Sequence, residues 1–258
     1  MSGFQNKTLA ITRSEQDAAE FLAVVEAEGG TGIALPAIEV VPKGPAAIHE
    51  FLTKMRKNKY DYCAFMSPHA VSILLENAGT EVSDVLKSTT VIAVGPKTKE
   101  RLVEKGVEVR MMPSSFSSAG LTELLSTLNP QKKRIIIPRS GAANESAAKS
   151  LQNLGMQVDQ VLLYTVRPAI PTPVWSEFSR LLTDKKVNAI IFTSASNVKS
   201  FFDIMGKMEL PELRLNDLTK VISIGPLTSK ELKSRNITYF EAVEHTVAGA
   251  LKVAREVA

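Results

Sequence analysis

An internal repeat constrains the fold of this chain more than any other sequence feature. The segment KTLAITRSEQDAAEFLAVVEAEGG (7–30) returns as KRIIIPRSGAANESAAKSLQNLGM (133–156), and Arg13 matches Arg139 at an offset of 126. Two further segments return at nearly the same offset, residues 60–76 at 187–203 and residues 91–109 at 221–239. A repeat of this length predicts two lobes that are built from the same elements.

Each copy alternates short apolar runs with amphipathic stretches. The runs LAIT, YCAFM and AIIF are apolar throughout, as is typical of parallel strands covered by helices on both faces. With 258 residues there is enough chain for two such domains. The sequence therefore predicts an α/β fold with a doubly wound parallel sheet in each half. In the first copy we expect strands near 8–12, 31–35, 61–66, 90–94 and 107–111, and helices from Ser14, over 46–58, from Pro68, from Pro96 and over 117–128.

The predicted helices carry local stop signals. Gly29, Gly106 and Gly155 stand where helices should end, and Asn236 replaces glycine at the place in the second copy that matches Gly106. Asparagine is the next residue after glycine to tolerate the left-handed conformation of a helix C-cap, so the signal is kept.

The boundary between the lobes has two interpretations. The polar turn at 129–133 separates the two copies and would divide the chain into contiguous domains. Alternatively, the segments 33–42 and 161–168 are longer than one buried strand, and each ends in proline. These two segments would then be paired crossings between lobes.

Composition and charge exclude several classes of protein. Lys and Arg number 31 against 27 Asp and Glu, and the net charge of +4 is spread thinly, unlike the basic patch of a nucleic-acid binder. Cys63 is the only cysteine, so no internal disulfide can form, and no stretch resembles a signal peptide or a membrane helix. We therefore expect a cytoplasmic protein that contacts neither membrane nor nucleic acid.

Metal and nucleotide chemistry find little support in the sequence. His49, His69 and His245 are not spaced as metal ligands, so we expect surface or capping roles for them. No GxGxxG follows a strand and no GxxxxGK[ST] occurs, which argues against NAD and ATP, and GxSxG is also missing. We expect neither a cofactor nor a metal.

Small and polar residues follow the predicted strands, where helix N-termini present unpaired N–H groups to a ligand. Such corners suit a small anion, although each could equally be an ordinary helix cap. Six of them occur: Arg13-Ser14, Ser67-Pro68, Gly95-Pro96-Lys97-Thr98, Arg139-Ser140, Thr193-Ser194-Ala195-Ser196 and Gly225-Pro226-Leu227-Thr228.

Tyr164 is the one titratable residue at an unusual place. It lies in the apolar segment VLLYTVRP, at the end of which the crossing between lobes would begin. It is either a core tyrosine with a hydrogen-bonded hydroxyl or a functional group at that crossing.

The order, spacing and duplication of several motifs resemble the uroporphyrinogen-III synthase family. The motifs are FMSPHAV, VIAVGPKTKERLVEKGVEV, IIIPRSGAANESAAKSLQNLGMQVDQVLLYTVRP, IIFTSASNV and VISIGPLTSKEL, and together they cover nearly the whole chain. No single motif is specific, but their combination is. One departure is Ala195, which stands where the first copy has Pro68 and where the family often has proline.

The resemblance implies two flavodoxin-like lobes joined by a two-stranded connector. The first lobe would be discontinuous, comprising 1–38 and 169–258, and the second would comprise 39–168. The connector strands would lie near 35–42 and 162–168. This arrangement favours the paired crossings over the cut at the polar turn.

The resemblance also implies a reaction without a cofactor. Hydroxymethylbilane, a linear tetrapyrrole with eight carboxylates, is closed with inversion of its last pyrrole ring and loss of water, giving uroporphyrinogen III for haem, sirohaem or cobalamin biosynthesis. The expected partner is this small-molecule substrate, handed over transiently by hydroxymethylbilane synthase to a monomeric, cytoplasmic enzyme.

Family resemblance assigns roles to particular residues. Tyr164 would assist departure of the substrate hydroxyl as a general acid. Charged side chains, hydroxyls and backbone N–H groups at the corners would contact the substrate carboxylates. The expected contacts are Arg13, Ser67, Gly95, Lys97, Thr98, Arg139, Ser194, Ser196, Gly225 and Thr228.

Two rival classes share this fold. One is a two-lobed protein that binds a small anion without transforming it. The other is a scaffold with receiver-like lobes, but a receiver needs acidic side chains at its strand ends, where this chain has Arg, Ser and Gly. Turnover of a linear tetrapyrrole distinguishes the enzyme from both.

Overall fold

The chain forms two compact units, each with its own five-stranded sheet. The first unit comprises Met1–Glu39 and Arg167–Ala258, and the second comprises Val40–Val166. The polar turn at 129–133 lies inside the second unit. The computed structural model describes residues 3–141, 145–208 and 215–258.

Strands and helices alternate along the described chain. In chain order they are β1 (Thr8–Ile11), α1 (Glu15–Ala27), β2 (Thr31–Ala34), β3 (Ile38–Pro42), α2 (Pro45–Lys57), β4 (Tyr62–Phe65), α3 (Pro68–Leu86), β5 (Thr90–Ala93), α4 (Pro96–Glu104), α5 (Ser118–Ser126), β6 (Arg134–Ser140), α6 (Ser146–Asn153), β7 (Gln157–Pro168), α7 (Pro173–Thr183), β8 (Ala189–Phe192), α8 (Ala195–Lys207), α9 (Leu215–Leu218), β9 (Lys220–Ser223), α10 (Pro226–Ser234), β10 (Phe240–Glu241) and α11 (Val247–Val257). None of the helices in the described ranges has the length and apolar character that crossing a membrane requires.

Both sheets place their parallel strands in the flavodoxin-like order, in which the first strand lies between the second and the third. The first sheet runs β2-β1-β8-β9-β10, and its neighbouring strands are all parallel. The second runs β3-β7-β6-β4-β5, with β7, β6, β4 and β5 parallel. The predicted α/β class with doubly wound parallel sheets is confirmed.

Strands β3 and β7 carry the chain from one unit to the other. They are neighbours in the sheet. The Lys43 N–H donates to the Leu163 carbonyl at 2.8 Å and the Ala169 N–H donates to the Ala37 carbonyl at 3.0 Å, which is an antiparallel pattern. Both unit boundaries fall within these two strands.

The predicted strand at 107–111 is wrong in extent. Only Met111 forms a bridge, parallel to Ile92 of β5. The backbone N–H groups of Arg110 and Met111 both donate to the Val91 carbonyl, at 3.0 and 3.4 Å. Because two successive donors share one acceptor, the regular ladder of a parallel pair does not continue.

The central strands contribute to two separate cores, one on each face of their sheet. In the first unit, Leu9 and Ile11 are buried beside α1 and α11, whereas Ala10 between them is buried beside α7 and α8. In the second unit, Cys63 and Phe65 face α2 and α3. Burial on both faces explains why these strands carry no alternation of polar and apolar residues.

The helix stop signals are confirmed. Gly29, Gly106 and Gly155 have φ of 81°, 75° and 81°, and Asn236 has φ of 57°. Each lies just past a helix, where the left-handed conformation turns the chain out of the helix.

Two glycines at matching places in the copies are required by close backbone contact. Gly120 and Gly249 lie in the first turns of α5 and α11, where their N–H groups donate to the capping hydroxyls of Ser117 and Thr246 at 3.1 and 3.0 Å. A Cβ at Gly249 would lie 2.0 Å from the carbonyl oxygen of Glu244, and one at Gly120 would be equally close to the backbone. A larger residue would push the preceding loop away from the helix.

We expect Gly249→Ala to lower the free energy of unfolding by about 2 kcal/mol or more, because the methyl group has no room beside a backbone carbonyl. Chemical denaturation followed by circular dichroism measures this change. Gly206→Ala is the matched control in the same unit, since a Cβ at Gly206 in α8 meets no atom within 4 Å. That variant should be more stable by about 0.5 kcal/mol, as alanine favours a helix. Equal effects of the two substitutions would contradict the packing argument.

Candidate active site

A cavity of about 220 Å³ opens at the carboxyl ends of the strands in the second unit. Met66 and Ser67 directly follow β4, Arg139 and Ser140 end β6, and Tyr164 lies in β7. This edge of a parallel sheet is where α/β proteins bind ligands. The complete lining is Met66, Ser67, Ser118, Ile137, Arg139, Ser140, Ala147, Gln160 and Tyr164.

Tyr164 is almost completely buried in the wall of this cavity, with 5 % of its surface exposed. Its hydroxyl donates a hydrogen bond to Ser67 Oγ at 3.0 Å. Burial raises the pKa of the Tyr164 phenol, and the Ser67 hydrogen bond and the charge of Arg139 offset this only in part. Tyr164 is therefore a neutral phenol at physiological pH and holds a proton that it can donate.

Ser67 is held in place by its position at the start of α3. It is the N-cap residue in extended conformation, and its Oγ accepts the His69 N–H at 3.1 Å. Pro68 follows at the first helical position, where its fixed φ suits the helix. The cap and the Tyr164 hydroxyl together determine where the Ser67 oxygen lies.

Arg139 brings a positive charge to the cavity. It is 7 % exposed, its Nε donates to the Ser140 carbonyl at 3.1 Å, and its Nη1 donates to Gln160 Oε1. The pairing of β6 with β7 shifts register between Arg139 and Ser140, so that Ser140 stands opposite Tyr164. This bulge places a polar strand end beside the phenol.

Several residues of this site were not predicted from the sequence, and two of them contact Tyr164 or Arg139. His69 was expected on the surface or as a cap, but its half-buried ring meets the Tyr164 ring edge-on, with centroids 6.0 Å apart and planes at 70°. Gln160 also lines the cavity. Its spacing from Tyr164, four positions along one strand, was a usable signal because alternate strand residues share a face.

The other predicted residues of the second unit lie outside the cavity lining. Gly95 is the N-cap of α4. Lys97 is exposed on the first turn of that helix, and Thr98 is buried beside it. The structure therefore brings together Ser67, Arg139 and Tyr164 but not this corner.

The predicted residues of the first unit follow neighbouring strands of its own sheet. Ser194 is the N-cap of α8, where its Oγ accepts the Asn197 N–H at 3.1 Å, and half-buried Ser196 lies in the first turn. Gly225 is the N-cap of α10, and Thr228 is buried in the first turn of that helix. These corners present backbone N–H groups at the carboxyl edge of the first sheet.

Arg13 directly follows β1 at the same edge. Its guanidinium is half-buried, and burial lowers its pKa more than the nearby charges of Asp17 and Glu20 raise it. No ion pair joins it to a carboxylate of the described chain. A partly desolvated cation of this kind gains from an anionic ligand.

The described residues include no group of three or more His, Cys, Asp or Glu side chains placed to hold a metal ion. The cavity instead offers a phenol, hydroxyls, an amide and a guanidinium. This set can hold an anion and donate a proton.

Comparisons with known proteins agree on one family. A family model described as uroporphyrinogen-III synthase HemD matches residues 19–252. The uroporphyrinogen-III synthase of Chlorobaculum parvum is 24 % identical over 237 residues, which are 90 % of this chain and 90 % of that protein. The uroporphyrinogen-III synthase of Synechococcus elongatus is 27 % identical over 258 residues, covering 95 % of this chain and 93 % of that protein.

A solved structure shares the fold. The crystal structure of uroporphyrinogen-III synthetase from Helicobacter pylori aligns with a TM-score of 0.69 at 18 % identity, over 98 % of this chain and 100 % of that chain. At this identity the likeness shows the two-domain α/β architecture.

Proposed function

The chain belongs to the uroporphyrinogen-III synthase family, and we propose that the cavity around Tyr164 is where it acts on its substrate. The chain has the activity of this family: it is a cyclising hydro-lyase that closes the linear tetrapyrrole hydroxymethylbilane into uroporphyrinogen III with loss of water. The family match over residues 19–252 carries this conclusion. It does not favour the alternative of a two-lobed protein that binds an anion without transforming it.

The chemistry begins with departure of the substrate hydroxyl. The pyrrole nitrogen pushes out the hydroxyl of the adjacent hydroxymethyl group, and a proton from the enzyme converts that hydroxyl to water. In this proposal the proton comes from Tyr164, whose raised pKa keeps it protonated at neutral pH. A positioned general acid contributes about 10²- to 10⁴-fold to the rate.

The ring inversion is a problem of position. The electrophile that remains after water has departed can be attacked by either of two carbons of the last ring, the free one or the substituted one. Only attack by the substituted carbon leads to the type III isomer. Holding the reacting carbons in one arrangement can supply about 7–11 kcal/mol of the barrier reduction. A buried cavity with fixed polar groups suits this task better than a set of mobile acids and bases.

The cavity accommodates only part of the substrate. Pockets for drug-sized ligands have volumes of about 300–1,000 Å³, and this cavity has about 220 Å³. We assign it to the reacting end of the tetrapyrrole. The corners at Arg13, Ser194 and Gly225 in the first unit stay separate proposed contacts for substrate carboxylates.

The oligomeric state and the delivery of substrate are also proposals. All residues that line the cavity come from one unit of one chain, so this part of the site needs no second copy. This supports a monomer. We further propose that it takes hydroxymethylbilane from its synthase in a transient encounter in the cytoplasm and needs no cofactor.

The first test is the identity of the product. We expect this chain, supplied with freshly made hydroxymethylbilane, to give type III uroporphyrinogen in excess over a protein-free control. Oxidation to the uroporphyrins followed by chromatographic separation of the type I and type III isomers measures this. A folded sample that yields only type I would contradict the activity.

We expect Tyr164→Phe to lower kcat by about 10²- to 10⁴-fold with little change in stability, because it removes the proton and leaves the buried ring in place. Tyr60→Phe is the matched control, since the Tyr60 hydroxyl also donates one hydrogen bond, to Asp159 at 2.8 Å, but does not line the cavity. Steady-state kinetics compares the two variants. A Tyr164→Phe enzyme with full kcat would refute the acid role.

Arg13→Gln should raise KM by about 10- to 100-fold and leave kcat nearly unchanged, because a hydrogen bond to a charged group is worth about 1.5–3 kcal/mol. Arg110→Gln serves as its control, since that exposed arginine pairs with Glu108 and lies on the surface of the second unit. An unchanged KM for the Arg13 variant would remove this residue from the carboxylate contacts.

A further inference from the structure

From the hydrogen bonds around Ser67 we infer that this residue is the immediate proton donor to the departing hydroxyl, and that Tyr164 supplies the proton through it. The inference rests on the proposed function of the cavity. It makes Ser67 the catalytic residue that touches the substrate oxygen. Tyr164 then acts as the second member of a two-hydroxyl relay.

The donors and acceptors at Ser67 determine the direction of the relay. A serine hydroxyl has two lone pairs and one proton. Both lone pairs of Ser67 are occupied, one by the His69 N–H at 3.1 Å and one by the Tyr164 hydroxyl at 3.0 Å. No described residue accepts the Ser67 proton, so this proton is available to a ligand in the cavity that Ser67 lines.

Exposure distinguishes the two hydroxyl-bearing residues. Ser67 is half-buried, whereas Tyr164 is 5 % exposed and its proton already points at Ser67. For Tyr164 to donate directly, its hydroxyl would have to break the bond to Ser67 and turn towards the substrate. The relay needs no such rearrangement, because the Tyr164 proton moves along the hydrogen bond that already joins Tyr164 to Ser67, and the Ser67 proton is not engaged by a described residue.

The step balances in atoms and charge. The bond between the methylene carbon and the hydroxyl oxygen breaks, and its electron pair leaves with the oxygen. That oxygen takes the Ser67 proton and departs as water, while Ser67 takes the Tyr164 proton. The products are a cationic azafulvene, a neutral serine and a tyrosinate, and the tyrosinate recovers its proton after ring closure.

The surroundings stabilise the charge that this step creates. Once the proton has moved, the hydrogen bond reverses, and Ser67 donates to the Tyr164 phenolate. That donation and the positive charge of Arg139 are the two influences that lower the pKa of the phenol against the effect of burial. The same two groups therefore stabilise the tyrosinate during the reaction.

The test is a double-mutant cycle with steady-state kinetics and measurement of the uroporphyrin isomers. Ser67→Ala and Tyr164→Phe should each lower kcat by about 10²-fold or more, with KM changed by less than about threefold. Because the two hydroxyls act in series, the double variant should be no slower than the slower single variant, within about threefold. The wild type should show a curved dependence of kcat on the deuterium fraction of the solvent, as expected for two protons in motion.

Further variants separate catalysis from helix capping. Ser67→Thr keeps the hydroxyl and should retain kcat within about tenfold. Ser67→Gly keeps a good N-cap but has no hydroxyl, so it should lose kcat as Ser67→Ala does while remaining close to wild-type stability. Thr246→Ala removes the N-cap hydroxyl of α11, outside the cavity, and should lower Tm by about 2–4 °C without lowering kcat.

The outcomes distinguish the relay from the function on which it rests. A wild-type chain that yields only type I overturns the function and the relay with it. If the wild type forms type III, two results would overturn the relay alone. One is full kcat in Ser67→Ala, and the other is a double variant in which the effects of the two substitutions multiply. A Ser67→Ala variant that raises KM without lowering kcat likewise assigns Ser67 to binding and rejects its role as donor.

Discussion

Burial of the parallel strands on both faces is the constraint on which the rest of this structure depends. Residues such as Leu9 and Ala10 point to opposite cores, so neither position can be polar. In the short central strands, polar side chains are consequently found at the strand ends, where backbone N–H groups of the following helices are also exposed. The same packing that stabilises each unit therefore concentrates its chemistry at one edge of each sheet.

Strand β7 combines the roles of structure and chemistry. Its first part pairs with β6 inside the second unit, and its last residues belong to the first unit. Tyr164 lies shortly before the crossing, buried enough to stay protonated and held by a hydroxyl that caps α3. The hydrogen bond from Tyr164 to Ser67 thus depends on a helix cap, on the register of a strand and on a buried phenol. In the proposed relay, this bond directs the Ser67 proton towards the ligand.

The repeat in the sequence does not coincide with the units of the fold. By the repeat, β1 matches β6, β4 matches β8 and β5 matches β9. The first unit nevertheless combines β1 and β2 with β8, β9 and β10, and the second combines β6 and β7 with β4 and β5. Each unit joins the beginning of one copy to the remainder of the other, which is why a cut at the polar turn between the copies does not match the division of the fold.

The sequence alone determined the features that depend on neighbouring residues. The apolar strands, the capping serines and the glycine or asparagine stops could be predicted because their physical causes act within a few positions of the chain. The tertiary structure decided which distant segments meet. The bond between Tyr164 and Ser67 joins residues 97 positions apart, and the edge-on contact of His69 with Tyr164 has no local signal. Such contacts follow from the pairing of β6 with β4 and β7, since the balance of burial over a whole sheet sets the order of its strands.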